Sequence, residues 1–242
     1  MLDSARALSV LDWWIGAGVD TSIEEVPRNW LAEPRTVAAA SPPAALATPA
    51  PATLPVTLAG FHAWLAESET LPDGSRQGRR ILPSGDATGG IMIMIDMPEP
   101  ADQAAAMLLS EESGRLFDRM LAAIGRDRSS VYLTALCLER PMGGRVDDAA
   151  MRRLGEIARH HIALAAPKRV LLMGQAVNRA VLGVELVNAR QKLHNLNHDG
   201  ATVDATKVQA VATFAPRFLI QSPARKADAW KDLRLLIGGI EL

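Results

Sequence analysis

The residues that could do chemistry in this chain stand just after apolar runs. Asp96 closes one run of strand length, and Ala215-Pro216 follow another, with Arg217 and Phe218 next. Loops that follow strands are where α/β proteins place binding and catalytic groups. A carboxylate at position 96 would either position a water molecule for attack or only cap the end of a strand in solvent. The alanine, in contrast, can neither donate a proton nor bind a ligand.

Other residue types give weaker signals. The chain contains no glycine-rich phosphate loop and no Cys/His set with zinc spacing. His160 and His161 are adjacent in a predicted helix and point in different directions, which predicts surface or partly packed side chains rather than metal ligands. Cys137 is the only cysteine. Its apolar surroundings predict a buried thiol, and one thiol cannot form a disulfide framework or a thiolate cluster.

The composition fits one ordinary globular core with additional segments. The chain has 242 residues, is 48% hydrophobic and carries a formal net charge of −1. An anionic partner would therefore need a local basic patch. The start lacks a basic segment followed by an apolar core, and no uncharged apolar run approaches ~18 residues. We therefore expect a cytoplasmic protein without membrane contact.

Apolar strands that alternate with amphipathic helices position the residues named above. Each strand is apolar on both faces, which predicts a parallel sheet with helices on both sides. Crevice-lining loops would then start at the carboxyl ends of the strands. The predicted strands are 89–96, 131–138, 169–174 and 209–214, and the predicted helices are 57–68, 113–125, 146–167, 175–183 and 224–239.

Three regions are predicted along the chain. Residues 1–34 form a helical segment, in which Trp13 and Trp14 offer an apolar anchor to a protein partner. Residues 35–56 are rich in alanine and proline, which predicts a semi-rigid, disordered linker. Residues 57–242 form the main domain.

Four blocks of the main domain carry a family resemblance. They are SGRLFDRMLAAIGRDRSSVYLTAL, RPMGGR, APKRVLLMGQAVNRAVLG and TFAPRFLIQSPARKADAWKDLRLL. In order and spacing they resemble the uracil-DNA glycosylase superfamily, nearest to the bacterial family 4-like type that often carries an iron–sulfur cluster. The resemblance runs from about residue 81 to the end of the chain. It implies a three-layer αβα fold around a central four-stranded, mostly parallel sheet.

The base-binding positions that the resemblance implies have changed. The family's first motif is Gly-Glu-Ala-Pro-Gly; here Asp96 and Pro98 keep their type, whereas both glycines are gone. Leu109 stands where the family stacks an aromatic ring on the flipped base. Ala135 stands where an asparagine reads the uracil edge. The amide that would select uracil by hydrogen bonding is therefore missing.

The resemblance also implies a lost electrophile and a lost cofactor. The family has His-Pro after the last strand, where the imidazole stabilises charge on the departing base, and here the pair is Ala215-Pro216. Glu139 and Leu154 occupy two positions of the cluster cysteines, and no cysteine lies near His62. We therefore expect no iron–sulfur cluster and no metal site.

Positions that contact DNA in the family survive better. The loop after the last strand, which wedges into the minor groove, retains Pro216, Arg217 and Phe218. A second segment resembles the family's basic loop and offers side chains to phosphates. Its residues are Arg190, Lys192 and His194. The alternative is ordinary surface charge, with the phenylalanine packed under the last helix.

Three hypotheses on function follow, and the sequence leaves open whether the chain is an enzyme. The first is a catalytically degenerate, glycosylase-like protein that is DNA-associated or serves as a scaffold linked to DNA repair. The second is an active DNA glycosylase that excises uracil or another damaged base through Asp96. The third is a protein-interaction module that never meets DNA, which predicts an acidic or neutral crevice mouth. The acidic residues near the mouth are Glu99, Glu111, Glu112 and Glu139.

Overall fold

The computed structural model describes residues 54–72, 79–196 and 208–238. The predicted helical segment 1–34, with Trp13 and Trp14, lies outside these residues. Nearly all of the predicted linker 35–56 also lies outside them. Both assignments therefore stay predictions.

A six-stranded sheet forms the centre of the described fold, with the strand order β1-β3-β2-β4-β6-β5. The strands are β1 (Ser84–Gly85), β2 (Ile91–Ile95), β3 (Tyr132–Ala135), β4 (Arg169–Met173), β5 (Leu193–Leu196) and β6 (Val208–Thr213). Strands β3, β2, β4 and β6 run parallel to one another, as the sequence predicted. Strands β1 and β5 pair antiparallel to them at the two edges.

The two edge strands correct the predicted count of four. Strand β1 has only two residues, both exposed, and the residues of β5 alternate between exposed and half-buried. Neither strand forms an apolar run, which is the signal that identified the central strands. Strand β2, in contrast, is buried at all five positions.

Helices cover both faces of this sheet, so the fold is a three-layer αβα sandwich. The helices are α1 (Leu58–Glu67), α2 (Pro100–Ala105), α3 (Glu111–Ala123), α4 (Asp148–Ala165), α5 (Gln175–Leu182), α6 (Leu186–Ala189), α7 (Pro216–Gln221) and α8 (Lys226–Ile237). Met92 and Met94 of β2 pack with α1, α4 and α5. Ile91, Ile93 and Ile95 pack with α3 and α8 on the other face. This alternation follows from the two-residue period of a strand.

The five predicted helices are present, and three short ones were missed. Asp147 caps α4, since its carboxylate accepts the backbone N–H of Ala150 at 2.8 Å. Helix α7 corrects the prediction of a loop after the last central strand. Its first residue is Pro216, whose fixed φ suits the first position of a helix. In the part of the chain that the structure describes, no helix has the length and apolar character that crossing a membrane requires.

A hydrogen-bonded trio ties α1 to the sheet and to α4. The Tyr132 hydroxyl lies between Nε2 of His62 and Nε2 of His161, and the distance to the latter is 2.7 Å. His161 is buried, which corrects the prediction of a surface or partly packed side chain, whereas His160 is half-buried. Burial, together with the neighbouring His62 and His160, lowers the pKa of His161 to about 3. Cys137 is buried, as predicted.

Candidate functional site

The carboxyl ends of the four parallel strands lie in one row. Backbone register pairs Ile95 with Ala135 and with Met173, and it pairs Met173 with Thr213. The residues that leave the sheet at this edge are Leu136, Asp96, Gly174 and Phe214. The structure therefore brings Asp96, Ala135 and the segment that begins at Phe214 to the same edge.

The Asp96 carboxylate sits at the start of helix α5. Its Oδ1 accepts the backbone N–H of Val177 at 2.7 Å, and the N–H groups of Gln175 and Ala176 also point to it. Burial raises the pKa of this carboxyl, and the three N–H groups oppose that rise. The carboxylate thus supplies an acceptor to a helix whose first N–H groups have no intrahelical partner. The sequence suggested a carboxylate that caps a strand end in solvent. The structure instead shows a carboxylate that is partly buried and hydrogen-bonded to the start of α5.

Gly174 allows the Asp96 carboxylate to lie this close to the backbone at the start of α5. Its φ is +135°, and a Cβ placed on it would lie 2.3–2.4 Å from the carboxylate atoms of Asp96. Only glycine fits both conditions, because an L side chain rarely adopts that conformation and would overlap the carboxylate. The sequence alone showed this glycine only as the end of a strand.

Leu109, which the resemblance aligns with an aromatic ring, is 2% exposed and packs in the core on the α3 and α8 side. Its loop is held by Asp102, a buried carboxylate that sequence reasoning missed. Asp102 accepts the backbone N–H groups of Leu109 (3.1 Å), Ser110 (2.7 Å) and Glu99 (2.9 Å), and also the Ser110 hydroxyl (2.6 Å). The spacing Glu99-Pro100-Ala101-Asp102 forms a capping box at α2, and that pattern could have identified the residue.

The same loop is clamped from its other side by Arg128. The guanidinium donates to the carbonyl oxygens of Leu108 (2.8 Å) and Leu109 (2.6 Å), and it pairs with Asp118 at 2.6 Å. Ala106, Leu109 and Glu111 all have φ near +50°. Non-glycine residues rarely adopt this conformation, so the surrounding hydrogen bonds must impose it.

The segment after β6 places an alanine and two aromatic rings at the strand end. Ala215 is half-buried and precedes α7, and Pro216 is buried. The rings of Phe214 and Phe218 lie 4.9 Å apart at an interplanar angle of 31°. The Arg190 guanidinium lies over the Phe214 ring, 4.0 Å from its centroid.

Arg190 is held by a buried carboxylate rather than offered to solvent. Its Nε donates to Asp232 at 2.8 Å, and the side chains are 9% and 0% exposed. Asp232 also accepts the Thr213 hydroxyl (2.9 Å) and the backbone N–H of Gln191 (3.2 Å). Burial raises the pKa of Asp232, and Arg190 opposes that rise. The positive charge of Arg190 is therefore compensated inside the protein.

The other two residues of the predicted basic loop differ from Arg190. Lys192 is exposed, and its Nζ donates to the carbonyl oxygen of Asn188 at 3.3 Å. His194 lies on edge strand β5, and its Nε2 donates to the carbonyl oxygen of Ala189 at 2.7 Å. Phosphate binding by this loop stays a prediction, and it would fall mainly to Lys192.

A cavity of about 350 Å³ opens at the mouth of the crevice, between the start of α2, the start of α3 and α7. Pro98, which precedes it, is buried, and its carbonyl oxygen accepts a hydrogen bond from Arg140 at 3.2 Å. The charged residues that line the cavity are Glu99, Glu111, Glu112 and Arg217. Three carboxylates thus face one guanidinium, and this mouth is acidic.

The side chains that the resemblance aligns with cluster cysteines do not fit an iron–sulfur cluster. Leu154 is 1% exposed and packs in the core with Cys137, and Glu139 is also buried. An iron–sulfur cluster of the common type needs four thiolates, and the chain has one cysteine. Within the described ranges, His, Cys, Asp and Glu side chains form no group of three that could hold a metal ion.

Comparison with known proteins agrees with this geometry. A family model described as the uracil DNA glycosylase superfamily matches residues 82–234. The chain is also similar to a type-4 uracil-DNA glycosylase of Pyrobaculum aerophilum, with 22% identity over 188 residues. The aligned region covers 74% of this chain and 92% of that protein.

Proposed function

The chain belongs to the uracil DNA glycosylase superfamily, and from that premise we propose that it is a catalytically degenerate member. In this proposal it associates with DNA, or with a DNA-repair assembly, without excising uracil. The observation that carries the proposal is Ala215, which lies two residues after the end of β6 and directly before Pro216 of α7. This is the position where the family resemblance places a histidine.

Base excision needs several groups that this site lacks. A departing base carries negative charge, and one well-placed electrostatic donor lowers the barrier by about 2.7–4 kcal/mol. The methyl group of Ala215 offers no such donor. Ala135 is 5% exposed and has no amide to read a base edge, and Leu109 is a buried aliphatic side chain. Recognition of the base edge, stacking on the base and stabilisation of charge on the departing base are therefore all weakened.

Asp96 supports the alternative, an active glycosylase with an atypical site. It lies at the crevice edge, and burial raises the pKa of its carboxyl. A carboxylate must have an accessible lone pair to orient a water molecule. Hydrogen bonds from the start of α5 already engage this one. The non-catalytic proposal is therefore the better supported of the two.

An excision assay with the full chain in excess over DNA separates these proposals. Single and double strands that contain uracil or another damaged base are incubated with the protein and then treated with alkali. We expect no strand cleavage on any substrate, with a type-4 uracil-DNA glycosylase as the positive control. Cleavage above the protein-free background would contradict the proposal. If that cleavage disappeared in Asp96→Asn, the atypical enzyme would be established.

The association with DNA has its own test. Binding to single- and double-stranded DNA is measured at several salt concentrations, because phosphate contacts weaken as salt rises. We expect binding at low salt that falls with added salt. Absence of binding at low salt would exclude a DNA-associated role and leave the scaffold. We also propose that the protein contains no iron–sulfur cluster, which iron analysis of protein purified without oxygen can contradict.

A further inference from the structure

The mouth cavity, as we call the cavity at the mouth of the crevice, has an acidic rim. Glu111 and Glu112 are exposed, Glu99 is half-buried, and the one cation among the described lining residues is Arg217. In the part of the chain that the structure describes, neither Glu111, Glu112 nor Arg217 takes part in a salt bridge. The charge of the rim is therefore available to a ligand.

The wall of the mouth cavity carries a buried hydroxyl group without a partner. Ser113 lines the cavity, although the residue is only 4% exposed. Among the described residues, none donates a hydrogen bond to this hydroxyl or accepts one from it. The nearby Ser110 hydroxyl, in contrast, donates to Asp102 at 2.6 Å. Buried polar groups are normally hydrogen-bonded, so the Ser113 hydroxyl marks a place for a polar ligand atom.

Helix position explains only part of this arrangement. The helix dipole favours acidic residues in a first turn, which accounts for Glu111 and Glu112 in α3. It does not account for the backbone of Glu111, whose φ of +49° would suit glycine better than any residue with a side chain. Nor does it account for the unpartnered hydroxyl of Ser113.

The lining fits a lysine side chain that belongs to a peptide segment. An ammonium group has three donors, and the rim carboxylates and the Ser113 hydroxyl are acceptors. Apolar surface for the four-carbon stem of a lysine comes from Pro100, Ala101 and Ile220.

The donors of the mouth cavity favour a peptide over other cations. Arg217 and the Gln221 amide can donate to carbonyl oxygens of a peptide backbone, which a metal ion or a polyamine does not offer. A phosphate group would instead face the carboxylates of Glu99, Glu111 and Glu112, which repel it.

We propose that the mouth cavity binds a lysine side chain from a basic segment of a partner protein. The ammonium group contacts the Ser113 hydroxyl and the acidic rim, and the Arg217 guanidinium contacts a carbonyl oxygen of the same segment. The inference rests on the proposed function in its form as a member of a DNA-repair assembly, and it names the chemistry that the protein partner presents. It requires no contact with DNA.

The test is the binding of the full chain, without DNA, to a labelled peptide of alternating lysine and alanine, measured by fluorescence anisotropy at low salt. We expect saturable binding of this peptide and none of an equally long peptide of alternating glutamate and alanine. Ser113→Ala removes the hydroxyl but no charge. It should bind about tenfold or more weakly, as expected when a hydrogen bond to a charged group is lost.

Charge variants separate the mouth cavity from the general field of the protein. Glu112→Gln should bind about two- to fivefold more weakly, the range of one exposed ion pair. Glu156→Gln is the matched control, because this exposed carboxylate lies on α4, which covers the sheet face opposite α3. The control loses the same charge and should bind like the wild type.

Glu111→Gly separates binding from folding. It removes a rim carboxylate at a backbone position that suits glycine, so the variant should keep its stability. Its binding of the lysine peptide should still be about two- to fivefold weaker.

Four results would overturn the lysine site: no binding of the lysine peptide, wild-type binding by Ser113→Ala, equal weakening in Glu112→Gln and Glu156→Gln, or binding of the polyamine spermine as tight as that of the peptide. Uracil release in the excision assay would overturn the proposed function but would leave this comparison readable, since the peptide assay contains no nucleic acid.

Discussion

Asp102 shows how much one buried residue contributes to the shape of the candidate site. It is 0% exposed and accepts four hydrogen bonds from Glu99, Leu109 and Ser110. The loop that it holds contains three non-glycine residues with positive φ. Strained backbone persists only where surrounding contacts enforce it. We infer that this carboxylate positions the loop.

Asp102→Ala should therefore lower the free energy of unfolding by about 3 kcal/mol or more, since each buried donor left without an acceptor costs about 1–3 kcal/mol. Urea denaturation followed by circular dichroism measures this change. Asp118→Ala is the matched control, because that carboxylate is 54% exposed and pairs with Arg128 on the same loop clamp. The control substitution should lower the free energy of unfolding by at most about 1 kcal/mol. Equal costs for the two variants would contradict the positioning role.

Gly174 gives a second prediction at the residue scale. Gly174→Ala places a Cβ against the Asp96 carboxylate at a φ of +135°. We expect a loss of about 2 kcal/mol or more in the free energy of unfolding. Gly183→Ala is the control: its φ is also positive, at +70°, but nothing lies within 4 Å of the added atom. It should cost about 1 kcal/mol. A smaller loss at Gly174 than at Gly183 would argue against the close approach.

The sequence predicted the positions of the candidate residues well and their surroundings poorly. Apolar runs located three strand ends to within one residue, so Asp96 and the segment at Ala215 were expected at the correct edge of the sheet. The run 131–138 was predicted to end three residues too late, because β3 ends at Ala135, which only the family resemblance had singled out. Their partners come from distant segments: Asp96 contacts residue 177, and Arg190 contacts residue 232. Such pairings depend on tertiary packing, and hydrophobic periodicity carries no information about them.

At the scale of elements, the central strands and long helices were predictable because burial determines their pattern. The four central strands are buried on both faces, and the α4 helix has a clear apolar side with an aspartate cap. The edge strands and the short helices α2, α6 and α7 were missed, since their residues are partly exposed and too few to show a period.

The contact of α1 with α4 and β3 predicts a pH dependence. Burial lowers the pKa of His161 to about 3, so between this value and about 6.5 the unfolded chain binds a proton that the folded chain does not. The contribution of neutral His161 to the free energy of unfolding is therefore fully present above about pH 6.5, and it is lost as the pH falls towards about 3. The pKa of His62 is also lowered by burial, and it acts in the same direction.

Acidification from about pH 7 to about pH 5 should therefore cost about 2 kcal/mol of stability through His161. Denaturant titrations at the two pH values measure the change. His161→Gln cannot take up this proton and keeps an acceptor for the Tyr132 hydroxyl. The variant should lose most of the pH dependence; an unchanged pH dependence would contradict the assignment to His161.

At the scale of the whole molecule, the described domain keeps the family's frame. The three layers and the row of parallel strand ends are in place. The frame is stabilised by the packed core around Leu154 and by the buried pair Arg190–Asp232. Under the proposed function, side chains at the crevice can therefore change while the fold is kept, since a fold does not by itself determine a function.

Release of free uracil from a single-stranded DNA, with the full chain in excess over DNA, tests the central claim most directly. The account predicts no release above the protein-free background, while a type-4 uracil-DNA glycosylase releases uracil in the same buffer. Uracil release by the wild-type chain that grows with protein concentration would contradict the account, because Ala215 would then stand in a working active site.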